Sequence, residues 1–322
     1  MNTFRSLFGP KTAVFLFLTG VLSLYAAIFY VPHQTNFSKA QVLGEKNNLQ
    51  LFIEPDDGKK PLLNRVNSSL QVLTEVYLLS DKDIITAVAS RSGSILLEEH
   101  PFGGGNINQK TKSLLGNKVS WTNPDYTLTH EKAMVFDNQE VCILNMNLTT
   151  AAFDKNREYN ICSQDPADIS EVTAIFMADK NRQSYLPTNP NLVVSPVNSR
   201  GKLKALINSA QKSLQIEMEV MTDEQIVQLL SDKSKQITVR IILPRNIVNS
   251  TVPEALIKIL DSPYPHAKLI IADHARAYVG SVNLTLQSLD QNRELGILVS
   301  QPDILGRLTA TFEKDWENST PK

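Results

Sequence analysis

The chain has 322 residues, of which 42% are hydrophobic and 20% are charged. This composition excludes an intrinsically disordered chain, and the length fits two ordinary domains or one domain made by duplication. The formal net charge of −1 excludes a global basic field, so strong non-specific binding of nucleic acid would need a local basic patch.

The N-terminal segment is strongly apolar. Residues 13–31 contain no charged side chain, and a helix of about 20 residues crosses a bilayer. A signal peptide is the alternative, but the only small pair, Ala26-Ala27, is followed by bulky Ile28 rather than by a cleavage site. We therefore predict that residues 1–32 are a membrane anchor or uncleaved signal, and that the polar residues 33–48 form a stalk.

The orientation of this anchor depends on few charges. Arg5 and Lys11 precede the apolar span, whereas Lys39 and Lys46 follow it together with Glu45. The positive-inside rule is therefore nearly balanced. Since no second apolar span follows, the body of the chain is expected on one side, and we take the exported side (periplasmic, extracellular or lumenal) as the default.

Apolar periodicity predicts alternating strands and helices after the stalk. In the first half it predicts strands at 49–53 and 76–79 and helices at 60–73 and 81–89. In the second half it predicts strands at 192–194, 214–220, 239–243, 268–272, 278–282 and 295–299, and helices around Leu203, from Thr222, at 252–260 and at 302–317. This alternation favours an α/β fold with a parallel or mixed sheet.

The chain contains an internal duplication. From His130 onward the first half aligns with the second at a constant offset of 136 residues and without a gap. The matched pairs include His130/His266, Lys132/Lys268, Asp137/Asp273, Asn147/Asn283, Glu158/Glu294 and Asp179/Asp315. Chance similarity does not hold one register over about 50 residues. We therefore predict a first repeat at 49–180, a Pro- and Asn-rich linker at 181–191 and a second repeat at 192–322.

Each repeat carries a His-x-Lys motif followed at matched distances by Asp, Asn and Glu. Residues two positions apart in a strand point to one face, so each His lies beside its Lys. A lone histidine is more often structural than catalytic, but two of the five histidines here occupy matched positions with all partners in register. The predicted catalytic residues are His130, Lys132, Asn147, Glu158, His266, Lys268, Asn283 and Glu294.

The pattern H-x-K-x4-D-x6-G-S-x-N, followed by Glu, resembles the phospholipase D superfamily over roughly residues 50–320. The resemblance implies a duplicated phospholipase D-like fold of class α/β. Two α/β sandwich halves with mixed sheets would pack around one shared active site, and the N-terminal transmembrane helix would be additional. It also implies a metal-independent phosphodiesterase that uses no cofactor.

The resemblance further implies a role for each motif residue. One His attacks phosphorus to form a phosphohistidine, and the other protonates the leaving oxygen and then activates water or an alcohol. The Lys and Asn residues would hold the non-bridging oxygens. Glu158 and Glu294 would fix the histidine tautomers, and Asp137 and Asp273 would be supporting residues.

The two copies differ just before the Asn. The second copy has Gly280-Ser281, as the family pattern expects, whereas the first has Leu144-Asn145. We predict supporting roles for Ser281 and for Asn145, which still offers a donor. The difference leaves open which half supplies the nucleophile. Similarity to relatives favours His130, and a degenerate first half is the alternative.

The two cysteines, Cys142 and Cys162, are 20 residues apart and fit neighbouring strands. In an exported protein they would form a disulfide, and otherwise they would be two buried thiols, so both interpretations stay open. No Cys/His spacing resembles a zinc site.

Three functions fit these patterns. The first is a phospholipase D that hydrolyses glycerophospholipids or transfers their phosphatidyl group, with the anchor holding the cleft beside its substrate. The second is a membrane-tethered nuclease cutting DNA or RNA, which a basic strip with stacking aromatics would favour. The third is a non-catalytic anchored binding protein, which the double motif disfavours. The expected partners are a phospholipid membrane and a phosphodiester substrate, and no protein partner is obligatory because one chain holds both half-sites.

Overall fold

The computed structural model describes residues 49–245 and 253–322. The predicted anchor at residues 1–32 and the predicted stalk at residues 33–48 lie outside the described residues. No helix in the two described ranges has the length and apolar character that a bilayer crossing requires.

Residues 49–163 supply the strands that run through the first mixed sheet. These are β1 (Leu49–Glu54), β2 (Val72–Val76), β3 (Ile95–Leu97), β4 (Val119–Trp121), β5 (Lys132–Phe136), β6 (Glu140–Ile143) and β7 (Asn156–Ser163). They lie in the order β1-β7-β6-β5-β2-β3-β4, and β2, β3 and β4 run parallel. The helices of this half are α1 (Lys60–Ser68), α2 (Lys82–Ala89), α3 (Ile107–Leu115), α4 (Thr150–Asp154) and α5 (Pro166–Lys180).

The second mixed sheet comes from the second half. Its strands are β8 (Leu192–Ser195), β9 (Ser213–Met218), β10 (Thr238–Pro244), β11 (Ile257–Leu260), β13 (Lys268–Ala272), β14 (Arg276–Gly280), β15 (Glu294–Val299) and β16 (Thr320–Pro321), while the short β12 (Tyr264–Pro265) pairs with β7 of the first sheet. The helices are α6 (Ser199–Ser209), α7 (Glu224–Ser234), α8 (Leu286–Asp290) and α9 (Pro302–Glu317).

The two sheets have the same strand order. In the second sheet β8-β15-β14-β13-β9-β10-β11 repeats the path β1-β7-β6-β5-β2-β3-β4, and β16 is added at the edge. The register matches as well, because Glu75 lies opposite Ala133 and Glu217 lies opposite Leu269, the repeat counterpart of Ala133. The predicted duplicated α/β fold is therefore confirmed.

Two predicted helices differ from the structure. The helix predicted at 60–73 ends at Ser68, where Ser69 takes an extended backbone and its Oγ donates to the Arg65 carbonyl at 2.7 Å. Leu70 is then 80% exposed, and the chain enters β2 at Val72. Of the helix predicted at 252–260, the structure has only a 3₁₀ turn at Glu254–Leu256, and the prediction was wrong for Ile257–Leu260, which is a strand. There apolar Ile257 and Ile259 alternate with Lys258, which is the period of a strand.

A shared apolar core lies between the two sheets. Alternate residues of the central strands face it, among them Ala133 and Val135 of β5 and Leu269 and Ile271 of β13. Helices α5 and α9 also contribute to this core, whereas the opposite faces of the two sheets pack into separate outer cores. Because one core contains residues of both halves, burying it requires that the halves dock.

Two buried ion pairs, at matched positions of the repeat, join the halves. Arg157 of β7 donates to Asp315 of α9 through Nε at 2.6 Å and Nη2 at 3.0 Å. The repeat counterpart Arg293 donates from Nη2 to Asp179 of α5 at 2.8 Å. All four side chains are about 1% exposed or less. Each guanidinium therefore has a buried carboxylate of the other half as partner, and Arg157 Nη1 also lies 3.3 Å from Asp56 of its own half.

The predicted cysteine pair lies on neighbouring strands, with Cys142 of β6 opposite Cys162 of β7. The structure joins them in a disulfide, which is fully buried in the outer core of the first sheet.

Replacing Arg157 by Met should destabilise the fold by about 3–5 kcal/mol, because it leaves Asp315 buried without its cation. Equilibrium unfolding in urea, followed by tryptophan fluorescence, would measure the loss, and Trp316 lies next to Asp315 in the chain. Arg245→Met is a matched control, since the Arg245–Asp261 pair is exposed on both sides. An Arg157→Met midpoint equal to that of the control would show that the buried pair does not hold the halves together.

Candidate active site

A cleft of about 740 Å³ lies between the two halves and takes its lining from both. The predicted residues that reach its surface are His130, Asn147, His266, Asn283 and Glu294. The two lysines of the motifs, Lys132 and Lys268, are fully buried directly beside the histidines, each at the start of its strand. The structure therefore brings both His-Lys-Asn sets to one place.

Each histidine is held by the glutamate of the other half. His130 Nδ1 lies 2.9 Å from Glu294 Oε2, and His266 Nδ1 lies 2.9 Å from Glu158 Oε2. A carboxylate accepts from a protonated Nδ1, and this fixes the tautomer and leaves Nε2 available for chemistry. The pairing across the halves was not predicted from the sequence.

Main-chain pairing between the halves places each histidine beside the glutamate of the other half. The segment before His130 runs beside the segment before Glu294, and the amides of His130 and Glu131 both donate to the Arg293 carbonyl, at 2.8 and 3.0 Å. In the same way β12, just before His266, pairs with the start of β7, just before Glu158. Main-chain contacts between the halves therefore bring each histidine beside its carboxylate.

Polar neighbours hold the two carboxylates in turn. Asn292 Nδ2 donates to Glu294 Oε1 at 3.1 Å, and Asn156 Nδ2 donates to Glu158 Oε1 at 3.1 Å. The Ser288 hydroxyl also donates to Glu294. The constant offset of 136 residues also places Asn156 on Asn292, but the sequence analysis gave these asparagines no role. Their invariance between the copies was the available signal.

The electrostatics of the first half favour a neutral histidine. Burial lowers the pKa of His130, and the charge of Lys132 lowers it further, although Glu294 opposes both. Burial alone would raise the pKa of Glu294, but its contact with His130, the charge of Lys132 and the hydrogen bond from Ser288 outweigh burial, and the net shift is downward. A neutral imidazole with Nδ1–H on Glu294 has its lone pair on Nε2, as a nucleophile needs.

The two lysines differ in their surroundings. Lys132 is fully buried, and within the described chain its Nζ has no hydrogen-bond partner. Burial, followed by the charge of Lys268, lowers the pKa of Lys132 to about 7. Lys268 Nζ instead donates to Glu219 Oε2 and to the His266 carbonyl, both at 2.7 Å. Lys132 is therefore ready to donate to an anion that enters the cleft.

The two asparagines also differ. The Asn147 Oδ1 atom is buried and makes no hydrogen bond to a described residue, whereas Asn283 Oδ1 accepts from the Val220 amide at 3.3 Å. Both side chains line the cleft, so both are within reach of a ligand there.

The departure from Gly-Ser in the first half has a structural reason. In the second half the buried Tyr278 ring lies over Gly280 and Gly296, where a Cβ would come within 2.7 and 2.3 Å of Tyr278 atoms. The first half has the smaller Cys142 at the place of Tyr278, which makes room for Leu144 and Asn160. The first half is therefore packed differently at this position.

The same exchange conserves a hydrogen bond. Tyr278 Oη accepts from the Val282 amide at 2.9 Å, and in the first half Asn160 Oδ1 accepts from the matched Met146 amide at 3.4 Å. The predicted supporting residues act near this point. Asn145 Nδ2 donates across the halves to the Gly280 carbonyl at 2.9 Å, while Ser281 Oγ donates within its own half to the Leu295 carbonyl at 3.2 Å.

The Asp of each motif lies at a hairpin turn and does not contact the histidines. Asp137 and Asp273 both have positive φ, 50° and 54°, in the turns that leave β5 and β13. Asp137 accepts from the amides of Leu70 and Gln71, and Asp273 accepts from three amides at Gln211–Ser213. These carboxylates fix the motif strands against the preceding loops.

A buried acidic group lies behind the first half-site. Glu75, Glu131 and Asp179 bring carboxylate oxygens within 4.8 Å of one another, a spacing that suits a cation. Arg293 already contacts Asp179 there, and burial raises the pKa of Glu131 to about 8. Positive charge from Arg293 and protonated carboxyls therefore account for the group.

The family model described as "Cardiolipin synthase, PLD-like domain" matches residues 62–180 and 203–316. No curated protein matches the sequence.

Two solved structures share the fold over most of this chain, and a third superposes on less than half of it. Polyphosphate kinase from Porphyromonas gingivalis superposes with a TM-score of 0.65 at 11% identity over 83% of this chain, which spans 50% of that kinase. Phosphatidylserine synthase from Haemophilus influenzae Rd KW20 superposes with a TM-score of 0.59 at 12% identity over 84% of this chain and 86% of that one. NucT from Helicobacter pylori gives a TM-score of 0.38 at 19% identity over 42% of this chain and 96% of that one.

The structural likenesses, at these identities, show the fold alone. The family match is stronger evidence, because it covers both repeats and more than half of the chain. The protein therefore belongs to the phospholipase D superfamily.

Proposed function

We propose that this protein is a phosphodiesterase of phospholipase D type, acting on glycerophospholipids by hydrolysis or phosphatidyl transfer through a phosphohistidine. The observation that carries the proposal is that two histidines lie in one cleft and that each is hydrogen-bonded through Nδ1 to the glutamate of the other half. This arrangement offers two Nε2 atoms at once, one to attack and one to deliver a proton.

The chain supplies the remaining requirements of such a reaction. The phosphodiester is an anion, and the buried Lys132 ammonium beside Asn147 is placed to hold its non-bridging oxygens and the charge that develops on them. Lys268 and Asn283 would do the same from the other half. We propose these roles for the predicted residues, with water or an alcohol as the second substrate.

The rim of the cleft favours a lipid over a nucleic acid. Phe102 lines the cleft and is 88% exposed, and Leu286, between the lining residues Thr285 and Gln287, is 57% exposed. No Lys or Arg occurs among the described residues lining the cleft surface, although tracking a nucleic-acid backbone requires a basic groove. Apolar rim residues suit entry of the cleft at a bilayer surface.

The proposal includes the predicted anchor. A membrane span at residues 13–31 would hold the cleft beside lipid head groups, with the body on the exported side. The membrane and the phosphodiester are then the partners, and one chain suffices for catalysis. A tethered nuclease is the alternative, and the relative rates on lipid and on DNA distinguish the two functions.

Replacing either histidine by Ala should reduce phosphodiesterase activity by ~10²–10⁴-fold, and the double variant should lose no more than the worse single one, because both act on one phosphorus. Release of head group from labelled phosphatidylcholine or phosphatidylglycerol in mixed micelles is the measurement, with single-stranded DNA tested in parallel.

His274→Ala is the matched control, since this exposed histidine lies at a hairpin turn. Half of the wild-type rate in either His130→Ala or His266→Ala would contradict a shared site. Cleavage of DNA alone would identify a nuclease.

The pH dependence of kcat/KM should reflect the lowered pKa of the buried Lys132. The pKa of Lys132 is lowered to about 7 by burial and by Lys268, so the ammonium is present below that pH and is lost above it. We expect kcat/KM to fall as the pH rises through about 7, whereas kcat should fall only at higher pH, because a bound anion favours the ammonium.

The control for this profile is Lys132→Met, which should be slow and lack this alkaline limb. A wild-type kcat/KM that stays flat from about pH 6 to about pH 9 would contradict the assigned role of Lys132.

Replacing Phe102 and Leu286 by Ser should lower the rate on lipid in micelles by about tenfold, while the rate on a soluble short-chain lipid changes little. The reason is that the rim residues would bury apolar surface at the interface but do not contact the reacting atoms. Leu186→Ser is the matched control, because Leu186 is 76% exposed in the segment that joins the two sheets. Equal losses on both substrates would exclude a role at the interface.

A further inference from the structure

The two half-sites differ at one structurally equivalent position. The residue two places after the buried Glu75 of β2 is Tyr77, and the residue two places after the matched Glu217 of β9 is Glu219. Both side chains line the cleft. One half thus presents an aromatic ring where the other presents a carboxylate.

Glu219 contacts both functional groups of the second half. Its Oε2 lies 2.7 Å from Lys268 Nζ and 3.4 Å from His266 Nε2, with 18% of the side chain exposed. Burial alone would raise the pKa of Glu219, but the charges of His266 and Lys268 outweigh it, so the net shift is strongly downward. Glu219 is therefore a carboxylate that partly cancels the charge of Lys268.

His266 consequently has a carboxylate at each ring nitrogen. Glu158 lies at Nδ1 at 2.8 Å and Glu219 at Nε2 at 3.4 Å. Lys268 Nζ, 3.4 Å from Nδ1, opposes a positive imidazole, but it is itself bonded to Glu219. Each ring nitrogen of His266 therefore faces a carboxylate oxygen that can accept its hydrogen.

His130 has different surroundings. In the described part of the chain Glu294 is the carboxylate in ion-pair contact with it, at Nδ1. The ring of Tyr77 approaches at 4.8 Å between centroids, edge to face, and Tyr77 Oη donates away from the histidine to the Phe102 carbonyl. The neighbour in ring contact with His130 is therefore the uncharged Tyr77, and among the described residues the nearby Lys132 Nζ makes no hydrogen bond.

We infer that Glu219 is a positioning residue that divides the reaction between the two halves, keeping a proton on Nε2 of His266 so that His266 is the leaving-group acid and His130 the nucleophile. This inference rests on the proposed phosphodiesterase function and deepens it.

The resulting reaction balances. The lone pair of His130 Nε2 forms the N–P bond while the bond from phosphorus to the leaving oxygen breaks, and His266 gives its Nε2 proton to that oxygen. His266, now neutral, takes a proton from water or an alcohol as the oxygen of this second substrate attacks phosphorus. The N–P bond then breaks, and its electron pair returns to His130.

Leaving groups of graded acidity test the inference directly. A series of methyl aryl phosphodiesters, from strongly to weakly acidic phenols, would be hydrolysed by the full-length wild-type and Glu219→Gln proteins. An acidic phenol departs without a proton, whereas a weakly acidic one needs an acid. We expect Glu219→Gln to lose about 10²-fold on the least acidic phenol and less than about threefold on the most acidic.

Two further variants complete the test. Glu224→Gln makes the same chemical change in the exposed first turn of α7 and should match the wild type across the series. Glu219→Asp keeps the carboxylate and should recover part of the rate on the weakly acidic phenols. Neither change is expected to affect the most acidic phenol.

Each other outcome has a defined meaning. An equal loss across the series would mean that Glu219 is only structural, and a faster Glu219→Gln protein would mean that it blocks the anion site, so either result overturns the inference. Turnover of aryl diesters without turnover of lipids would overturn the proposed substrate class and leave the comparison of leaving groups decisive. A wild-type protein that hydrolyses no diester would overturn both.

Discussion

The structure depends on the exchange of carboxylates between its two halves. Adjacent residues of β7 serve both sides of this exchange: Arg157 binds Asp315 of the second half, and Glu158 binds His266 of the second half. The matched residues Arg293 and Glu294 bind Asp179 and His130 of the first half. Neighbouring residues of a strand point in opposite directions, so the start of one strand fixes the docking on one face and the histidine tautomer on the other. A shift of one half against the other would therefore disturb the site before it exposed the core.

This coupling explains why so much charge is buried here. A buried guanidinium or carboxylate costs several kcal/mol unless it is paired with good geometry. Arg157 and Arg293 reach such pairing only when the halves are docked in one orientation, because the partner of each lies on a long helix of the other repeat, α9 or α5. An apolar interface alone would tolerate small slips. The ion pairs penalise them, which fits a site whose reactive nitrogens must stay in register.

The sequence predicted the residues of the site better than their pairing. A constant offset identifies His130 and His266 together with Glu158 and Glu294. It does not tell whether each His pairs with the Glu of its own half or with the Glu of the other half. Only the paths of the segments before the two histidines decide between them. Short apolar runs were ambiguous for a similar reason: Ile257–Leu260 reads as helix or strand until its partner β10 is known. From the sequence, Leu144 in place of glycine left a degenerate first half as an alternative. The reason is that the sequence does not show which residue faces this position, and in the first half that residue is Cys142 rather than a counterpart of Tyr278.

The position of Tyr77 and Glu219 shows what duplication within one chain allows. Two identical half-sites related by a two-fold axis must offer two identical histidines. Double displacement at phosphorus, however, needs an unprotonated nitrogen and a protonated one at the same moment. A symmetric pair reaches that state only by dividing one proton between equivalent sites, so half of its arrangements have the roles reversed. When both halves lie in one chain, a single substitution can place a carboxylate beside one histidine and an uncharged ring beside the other. The His, Lys, Asn and Glu of the two motifs can then stay matched, as they do here.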